Sequence, residues 1–453
     1  MQDKLDRFFH ISEQGSRIRT ELLAGASTFA AMAYIICVQP ALLSGQLTGT
    51  ETGMPFAALV TTTCLASAAG CFLMGLIANY PLGLAPGMGE NFFMLFGVMG
   101  ACAAATGAKP GDPVIWQTAL AIMLAAGVIF LAISFTPLRK KCVDALSPSL
   151  KAGIVAGLGL FIAYLGLRNS GIVGIVQGNP ALTVSCREPA PLIFLTGLVL
   201  ICALMYRKVQ GAILYGIFAS AIIAFFCGKL HLTGVVGLPA NPLPLIAKTD
   251  FSTLFRHLFE FLPLIFICFF MDLFDTMGTV IGVADRAGLM KNGKIERIER
   301  VFAADATATV TGALLGHSTV TSFVESSAGT EAGGKTGLTA ITVGLLFLLS
   351  LVFTPLIMAL ASCPPVTSSA LVIVGAMMMQ AVREVKWDDF SEAVPAFLII
   401  GGISFTNSII GGLSLGLIAS PVVKLCSGKG KETGWFSWMT AFFLTVYLIL
   451  LNR

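Results

Sequence analysis

The sequence predicts an all-α membrane protein that crosses the bilayer many times, and three observations support that prediction. Of its 453 residues, 56% are hydrophobic and only 11% are charged, and the mean hydropathy is +0.87, far above that of a soluble globular domain. Apolar segments of about 20 residues, the length of a membrane-spanning helix, recur from Thr20 to Leu451. Two segments, at matching places in the two halves of the chain, are interrupted by glycine, proline or polar residues.

The apolar segments form two blocks, separated by the polar connection 228–257. The first block holds seven predicted spans, at 20–44, 55–78, 81–100, 114–135, 148–168, 190–206 and 211–227. The second block holds predicted spans at 258–284, 298–315, 318–330, 337–360 and 366–382, followed by an uncharged run from Val394 to Val423.

That uncharged run is about 45 Å long as a helix, too long for one crossing of a hydrocarbon core of about 30 Å. We therefore divide it near Thr406-Asn407-Ser408, which gives seven spans in each block and leaves 433–451 as an additional helix. Keeping the run as one tilted helix also gives fourteen spans, but it moves Lys424, Lys429 and Lys431 out of the cytoplasm.

Positive residues predict the orientation, because they collect in short cytoplasmic loops. Residues 1–19 carry Lys4, Arg7, Arg17 and Arg19, so we expect the N-terminus of this plasma-membrane protein in the cytoplasm. The N-terminus lacks the short apolar core and cleavage site of a secretory signal. Counting spans from there, three further basic clusters fall on the same side: Arg139 to Lys141, Arg207 with Lys208, and Lys291 to Arg300.

The third element of each block is interrupted. Residues 81–93 read PLGLAPGMGENFF, and residues 316–330, GHSTVTSFVESSAGT, are too short and polar to span a membrane. Interrupted segments at matching places are typical of transporters built from inverted repeats, with the binding site at mid-membrane. Because seven is odd, the two blocks run oppositely through the bilayer. We expect each broken element to be an extended piece followed by a half-helix, with the two half-helix N-termini facing each other.

Away from their ends, the predicted spans contain few ionisable side chains. They are Glu90, Asp272, Asp275, Asp305 and Glu325, with His317 at a margin, and the span interiors offer no lysine or arginine to neutralise them. A carboxylate at mid-span costs about 2.5 to 3.5 kcal/mol on insertion scales. Each acid must therefore be protonated, bind a cation, lie at a helix N-terminus or accept hydrogen bonds from a substrate.

The spacing of these acids suggests a binding site. Asp272, Asp275, Thr276 and Thr279 stand at i, i+3, i+4 and i+7, so they share one helix face, which we expect to line a cavity. Glu90 and Glu325 lie where the half-helices begin, beside Phe92, Phe93 and Phe323. Carboxylates, hydroxyls and aromatic rings together suit a small planar heterocycle with N–H donors, and the same acids can carry a coupling proton.

Other interpretations remain open for these residues. Glu90 or Glu325 could be only a helix-capping carboxylate, and Asp305 in RVFAADATATVTG could be a structural acid bonded to threonine hydroxyls of a neighbouring helix. His317 is as consistent with a structural histidine as with a proton carrier.

Composition also bears on other protein classes. The eleven cysteines are scattered, without a C-x-x-C pair, and the four histidines are dispersed, so we expect no metal site or redox cofactor. No H-E-x-x-H motif supports a membrane-embedded hydrolase. A passive channel would not need a titrating acid.

Four stretches carry a resemblance to a known family. RTELLAGASTFAAMAYIICVQPALL (19–43), GLAPGMGENFF (83–93), DLFDTMGTVIGVADRAGL (272–289) and ADATATVTGALLGHSTVTSFVESSAGTEAGGKTGLTA (304–340) resemble the AzgA-like purine permeases. That branch belongs to the nucleobase/cation symporter superfamily, which includes the uracil and xanthine permeases. One departure is GMGENFF, where relatives more often carry GMGLNAFF, so Glu90 adds a carboxylate.

The resemblance implies a fold and a mechanism. It implies fourteen segments in two inverted repeats, with a core domain from 20–135 and 258–360 and a gate domain from 148–227 and 366–451. It also implies proton-coupled uptake of a purine base by an elevator-like movement of core against gate, in a possible homodimer, with no role for nucleic acid. Uracil or xanthine is the alternative cargo, and the sequence does not decide between proton and sodium coupling.

The resemblance also implies roles for single residues. Asp275 and Glu325 match substrate-binding acids of the eighth and tenth segments, and Asn91 matches a third-segment asparagine. Asp305 matches a ninth-segment acid linked to activity, and Asp272 is also an acid in this branch. Taken with the residues beside the breaks, the candidate substrate site is Asp275, Glu325, Asn91, Phe92, Phe323, Thr276 and Ser322, and the candidate proton-coupling acids are Asp272, Asp305 and Glu90.

Overall fold

A computed structural model describes most of the chain. The described residues are 2–136, 146–177, 179–185, 188–286, 288–291, 294–295, 297–406, 408–430 and 433–451. The basic cluster Arg139 to Lys141, part of the basic segment 291–300, Asn407 and Lys431 lie outside them.

The first half of the chain is helical apart from short strands. Its helices are α1 (Gln2–Phe9), α2 (Ile18–Met32), α3 (Ile35–Leu43), α4 (Phe56–Leu73), α5 (Met88–Phe93), α6 (Met99–Thr106), α7 (Pro113–Ser134), α8 (Pro148–Asn169), α9 (Ala190–Tyr206) and α10 (Ala212–Phe226). Its strands are β1 (Leu84–Pro86), β2 (Val173–Val176) and β3 (Asn179–Leu182), and π-helical turns extend α4 to Ala78 and join α5 to α6.

The second half repeats this mixture. Its helices are α11 (Phe251–Arg256), α12 (Leu258–Arg286), α13 (Ile298–Leu314), α14 (Ser326–Glu331), α15 (Gly337–Ser350), α16 (Thr354–Ala361), α17 (Pro364–Met378), α18 (Phe390–Thr406), α19 (Ile409–Cys426) and α20 (Trp435–Leu451). Its strands are β4 (Met290–Lys291), β5 (Lys294–Ile295) and β6 (Val320–Ser322), and 3₁₀ turns follow α15 and α17.

Helix length and composition confirm a multi-pass membrane protein. Within the described residues, nine helical stretches are long and apolar enough to cross a membrane, and α9, α10 and α18 are shorter apolar helices. Several helix starts have evident causes. Asp112 and Ser147 accept hydrogen bonds from the first-turn amides of α7 and α8, and a proline follows each of them at the first helical position.

The long uncharged run is divided where the sequence predicts. Helix α18 ends at Thr406 and α19 begins at Ile409. The start of α18 lies beside the end of α19, because Lys424 pairs with Glu392 at 2.7 Å and Lys429 with Asp389 at 2.6 Å. The Lys429 ammonium lowers the pKa of Asp389 to about 2. The run therefore turns back on itself and is not one tilted helix.

The two broken elements meet in a short antiparallel sheet. Strand β1 pairs with β6 in the register Leu84↔Ser322, Ala85↔Thr321 and Pro86↔Val320. Two flanking bonds extend the ladder, from Gly87 N–H to the Thr319 carbonyl at 3.1 Å and from Phe323 N–H to the Gly83 carbonyl at 3.0 Å. Pro86 disfavours helix at the residue before it, and β-branched Val320 and Thr321 favour strand.

A half-helix follows each strand, as predicted. Helix α5 begins two residues after β1, and α14 begins four residues after β6. Because the strands are antiparallel, the two half-helices leave the sheet in opposite directions, with both N-termini toward it. Helix α4 packs against β1, α12 and α13 pack against β6, and α14 packs on α2.

Gly329 seats the second half-helix on α2. A Cβ at this position would lie 2.6 Å from the Ala24 carbonyl oxygen and would overlap the Thr28 hydroxyl. We expect Gly329→Ala to destabilise the protein by about 1 to 3 kcal/mol, since a backbone must move to admit the methyl group. Thermal melting of the purified protein measures the effect, and Gly100→Ala is the control because no atom lies within 4 Å of its added Cβ. Equal melting temperatures for the two variants would contradict this packing.

Candidate functional site

Asp305 binds two of the candidate substrate residues. Its Oδ2 accepts a hydrogen bond from the Thr276 hydroxyl at 2.5 Å, and its Oδ1 accepts one from the Ser322 hydroxyl at 2.7 Å. Thr276 in turn lies 3.1 Å from the Thr321 hydroxyl. Asp305 thus ties α12 and β6 to α13, which agrees with the structural interpretation of this acid.

Asp272 lies one turn before Thr276 on the same helix face. Its Oδ2 accepts a hydrogen bond from the Thr309 hydroxyl of α13 at 2.8 Å. Its Oδ1 is buried and has no hydrogen-bond partner among the described residues. This acid therefore retains an oxygen that can take up a proton.

The expectation that this whole helix face lines a cavity is wrong. Asp272, Thr276 and Thr279 are all buried, at 1%, 0% and 3% exposure, and the first two are bonded to Thr309 and Asp305 of the neighbouring helix. Asp275 alone of the four is half-buried. Helical spacing correctly placed the four side chains on one face, but that face packs on α13 and β6.

Asn91 is held by a buried amide pair. Its side-chain NH₂ donates to the Gln39 carbonyl oxygen, and Gln39 Nε2 donates back to Asn91 Oδ1 at 2.8 Å. The Ser318 hydroxyl also donates to Asn91 Oδ1. Gln39, Asn91 and Ser318 are completely buried, so they join α3 and the first half-helix to the segment that leads into β6.

His317 extends this network to α4. Its Nδ1 lies 3.2 Å from Gln39 Nε2, and its Nε2 lies 2.9 Å from the Thr62 hydroxyl. Because Gln39 Nε2 is a donor, Nδ1 accepts and Nε2 carries the proton, which is the arrangement of a neutral imidazole. Both ring nitrogens are occupied by protein groups, as the structural interpretation of His317 predicts.

Glu325 and Asp275 are the two half-buried acids of the site. The Glu325 Oε1 accepts a hydrogen bond from the Tyr34 hydroxyl at 2.9 Å, and its carboxylate does not cap the first turn of α14. Asp275 has no hydrogen-bond or ion-pair partner among the described residues, and it lies within electrostatic range of Glu325 and Glu90. Helix α12, which carries Asp275, packs against α14, which Glu325 directly precedes, so the two acids lie in the same part of the fold.

Glu90 lies on the other half-helix. It occupies the first turn of α5 and is 4% exposed. A Cβ at Gly87 would overlap its Oε2. Glycine at this position thus makes room for the extra carboxylate.

The aromatic residues beside the breaks are packed against protein. Phe92 stacks parallel to Phe96 with ring centroids 6.3 Å apart, and its edge meets Phe161 of α8 at 6.2 Å. Phe323 is 6% exposed. Phe92 therefore lies where the first half-helix touches α8.

Three residues of the site were missed by sequence reasoning. Gln39 and Tyr34 lie in an apolar segment in which no residue pattern singled them out, and their partners are 52 and 291 residues away. Lys151 of α8 places a cation against α12, with its Nζ 4.3 Å from the ring centroid of Phe274, the residue before Asp275. The sequence does place Lys151 in the first turn of the predicted span 148–168, and this position could have drawn attention to it. No group of three or more metal-ligating side chains occurs in the described part of the chain.

The matching family model and two similar proteins are all described as permeases. A family model described as "Permease family" matches residues 19–414. The guanine/hypoxanthine permease PbuO of Bacillus subtilis is 41% identical over 94% of this chain and 95% of its own. The adenine permease AdeQ of Escherichia coli is 34% identical over 99% and 97%.

Solved structures share the fold at low sequence identity. The transmembrane domain of a cyanobacterial bicarbonate transporter, BicA, has a TM-score of 0.58 at 16% identity, covering 88% of this chain and 97% of that domain. SLC26A9 has a TM-score of 0.65 at 10% identity, covering 94% and 69%. These likenesses concern the fold alone.

Gln39 is expected to be essential to the buried network. In Gln39→Leu, Asn91 and His317, both completely buried, each lose a partner, at a cost of about 1 to 3 kcal/mol per unpaired group. The melting temperature of the purified protein should fall. Gln380→Leu is the control because Gln380 is exposed; a Gln39→Leu variant as stable as this control would show that the network contributes nothing.

Proposed function

Because the chain belongs to the permease family whose model it matches over residues 19–414, we propose that it is a secondary active transporter that takes up purine nucleobases across the plasma membrane. A permease is a transport protein and not an enzyme, which removes the membrane-embedded hydrolase from the alternatives. The names of the similar proteins support a purine as the transported substrate, since these proteins include guanine/hypoxanthine and adenine permeases. Uracil or xanthine remains the second candidate cargo.

The proposal rests on Asp275 and Glu325, the two half-buried acids of this part of the fold. Both carboxylates are half-buried and lie within electrostatic range of each other, whereas Asp272, Asp305 and Glu90 are buried. Two acceptor groups in one region suit a flat base that presents several N–H donors. The base would satisfy charges that membrane surroundings otherwise disfavour.

Proton coupling is proposed for the buried acids. Asp272 has a buried oxygen without a partner, and it lies within electrostatic range of Asp305, Glu90 and Asp275. A proton taken up by this cluster would reduce the repulsion among its charges as the substrate binds. Asp305 would act more indirectly, because its two oxygens hold α12 and β6 in place.

An elevator-like movement is proposed between two groups of helices. One group contains β1, β6 and the acids, with α2, α4, α12, α13 and α15 around them, and the other contains α8, α9, α10, α17, α18 and α19. The contacts of Phe92 with Phe161 and of Phe274 with Lys151 lie between these groups. We place the N-terminus in the cytoplasm from its basic residues, and a homodimer through the second group is part of the proposal.

Competition experiments test the cargo and the coupling ion. Uptake of radiolabelled hypoxanthine into a deficient host is challenged with excess adenine, guanine, xanthine or uracil at two external pH values. We expect the purines adenine and guanine to compete, and uptake to rise at the lower external pH. Competition by uracil alone, or uptake that follows an imposed sodium gradient and ignores pH, would contradict the proposal.

Glu325→Gln and Asp275→Asn should each abolish purine uptake while the protein still reaches the membrane. Each change removes a charged acceptor that the N–H groups of the base would meet. Uptake normalised to membrane expression is the measurement, with Glu384→Gln and Asp388→Asn as controls because both acids are exposed. Full uptake by either site variant would exclude that acid from binding.

Asp305→Asn should lower turnover more than binding. The amide can still accept one hydroxyl hydrogen bond, but its NH₂ faces the other hydroxyl as a donor, so the link between α12, α13 and β6 is disturbed. Initial rates give Vmax, and equilibrium binding of labelled hypoxanthine to purified protein gives Kd. Loss of binding as complete as in Glu325→Gln would refute this order of effects.

A further inference from the structure

Tyr34 lies at the junction of α2 and α3. Helix α2 ends at Met32 and α3 begins at Ile35, and the backbone of Tyr34 keeps right-handed helical dihedral angles. The Tyr34 side chain is only 1% exposed. A buried phenol needs a hydrogen-bond partner, and here the partner is the Glu325 Oε1 at 2.9 Å.

Glu325 depends on this contact more than Asp305 depends on either of its own. Asp305 has hydroxyl donors on both oxygens, whereas Tyr34 is the side chain that donates to Glu325. Glu325 also lies between a short strand and a helix of only six residues, so little regular secondary structure holds it in place. Without the phenol, the carboxylate would be free to change rotamer, and binding a ligand would have to fix it again.

The segment formed by α2 and α3 contacts both broken elements. Gln39 of α3 holds Asn91 of the first, and Tyr34 holds Glu325 of the second. The two contacts differ in kind. Gln39 bonds to an amide that is completely buried, whereas Tyr34 bonds to a carboxylate that is half-buried.

From this geometry we propose that Tyr34 is a positioning residue, which holds one oxygen of Glu325 so that the carboxylate is presented to an N–H group of the bound base. This inference rests on the proposed function. Tyr34 need not touch the base, and its effect passes through Glu325. The contribution should therefore appear in affinity, since the phenol orients a binding group.

Tyr34→Phe tests the proposal by removing a single oxygen and keeping the ring. We expect the KM for hypoxanthine to rise about tenfold, in line with the loss of a hydrogen bond to a charged group, with Vmax within about twofold of the wild-type value. Tyr164→Phe in α8 is the matched control, because Tyr164 is half-buried and lies outside the site. A variant that transports with wild-type KM would overturn the proposal, as would one that lowers Vmax alone.

A second measurement tests the proposal even if the variant is poorly expressed in cells. Purified, monodisperse Tyr34→Phe protein is tested for equilibrium binding of labelled hypoxanthine, and its melting temperature is recorded without ligand. We expect a raised Kd with a melting temperature close to that of Tyr164→Phe. A lowered melting temperature with unchanged Kd would show that Tyr34 only supports the fold. Failure of the wild-type protein to take up any purine would instead contradict the proposed function.

Discussion

An interrupted backbone in the interior of a membrane must find partners for its own amides, and the pairing of β1 with β6 meets that requirement. Unpaired N–H and C=O groups are costly where water is scarce. Each broken element supplies the hydrogen bonds that the other lacks, over three paired residues and two flanking bonds. The half-helices, and with them Glu90 and Glu325, are therefore placed by contacts between the two halves of the chain.

Side chains then fix this small sheet to the surrounding helices. Asp305 binds Thr276 and Ser322, and Gln39 binds Asn91 and His317. Both networks are buried. They supply hydrogen-bond partners to Asp305 and Asn91, which the sequence also suggests for roles in the site. Asp275 and Glu325 differ because they are half-buried. Burial, more than residue type, separates the acids that support the site from the two that are proposed to bind the solute.

Much of this arrangement could be predicted from the sequence. Glycine, proline and hydroxyl residues in an otherwise apolar chain revealed both breaks, and the rarity of charge revealed the acids. The division of 394–423 followed from helix length, and the Lys424–Glu392 pair agrees with it. Helical spacing placed Asp272 and Thr276 on one face, yet it carries no information about which neighbour that face meets. Tyr34 and Gln39 escaped notice because their partners are remote in sequence.

The three-residue pairing of β1 with β6 also limits which insertions the chain can accept during evolution. A residue inserted into β1 would leave amides of β6 without partners in surroundings that offer no solvent to replace them. The same holds for an insertion into β6. The lengths of the two strands are thus bound together, and a change in one repeat is tolerated only if the other repeat changes with it.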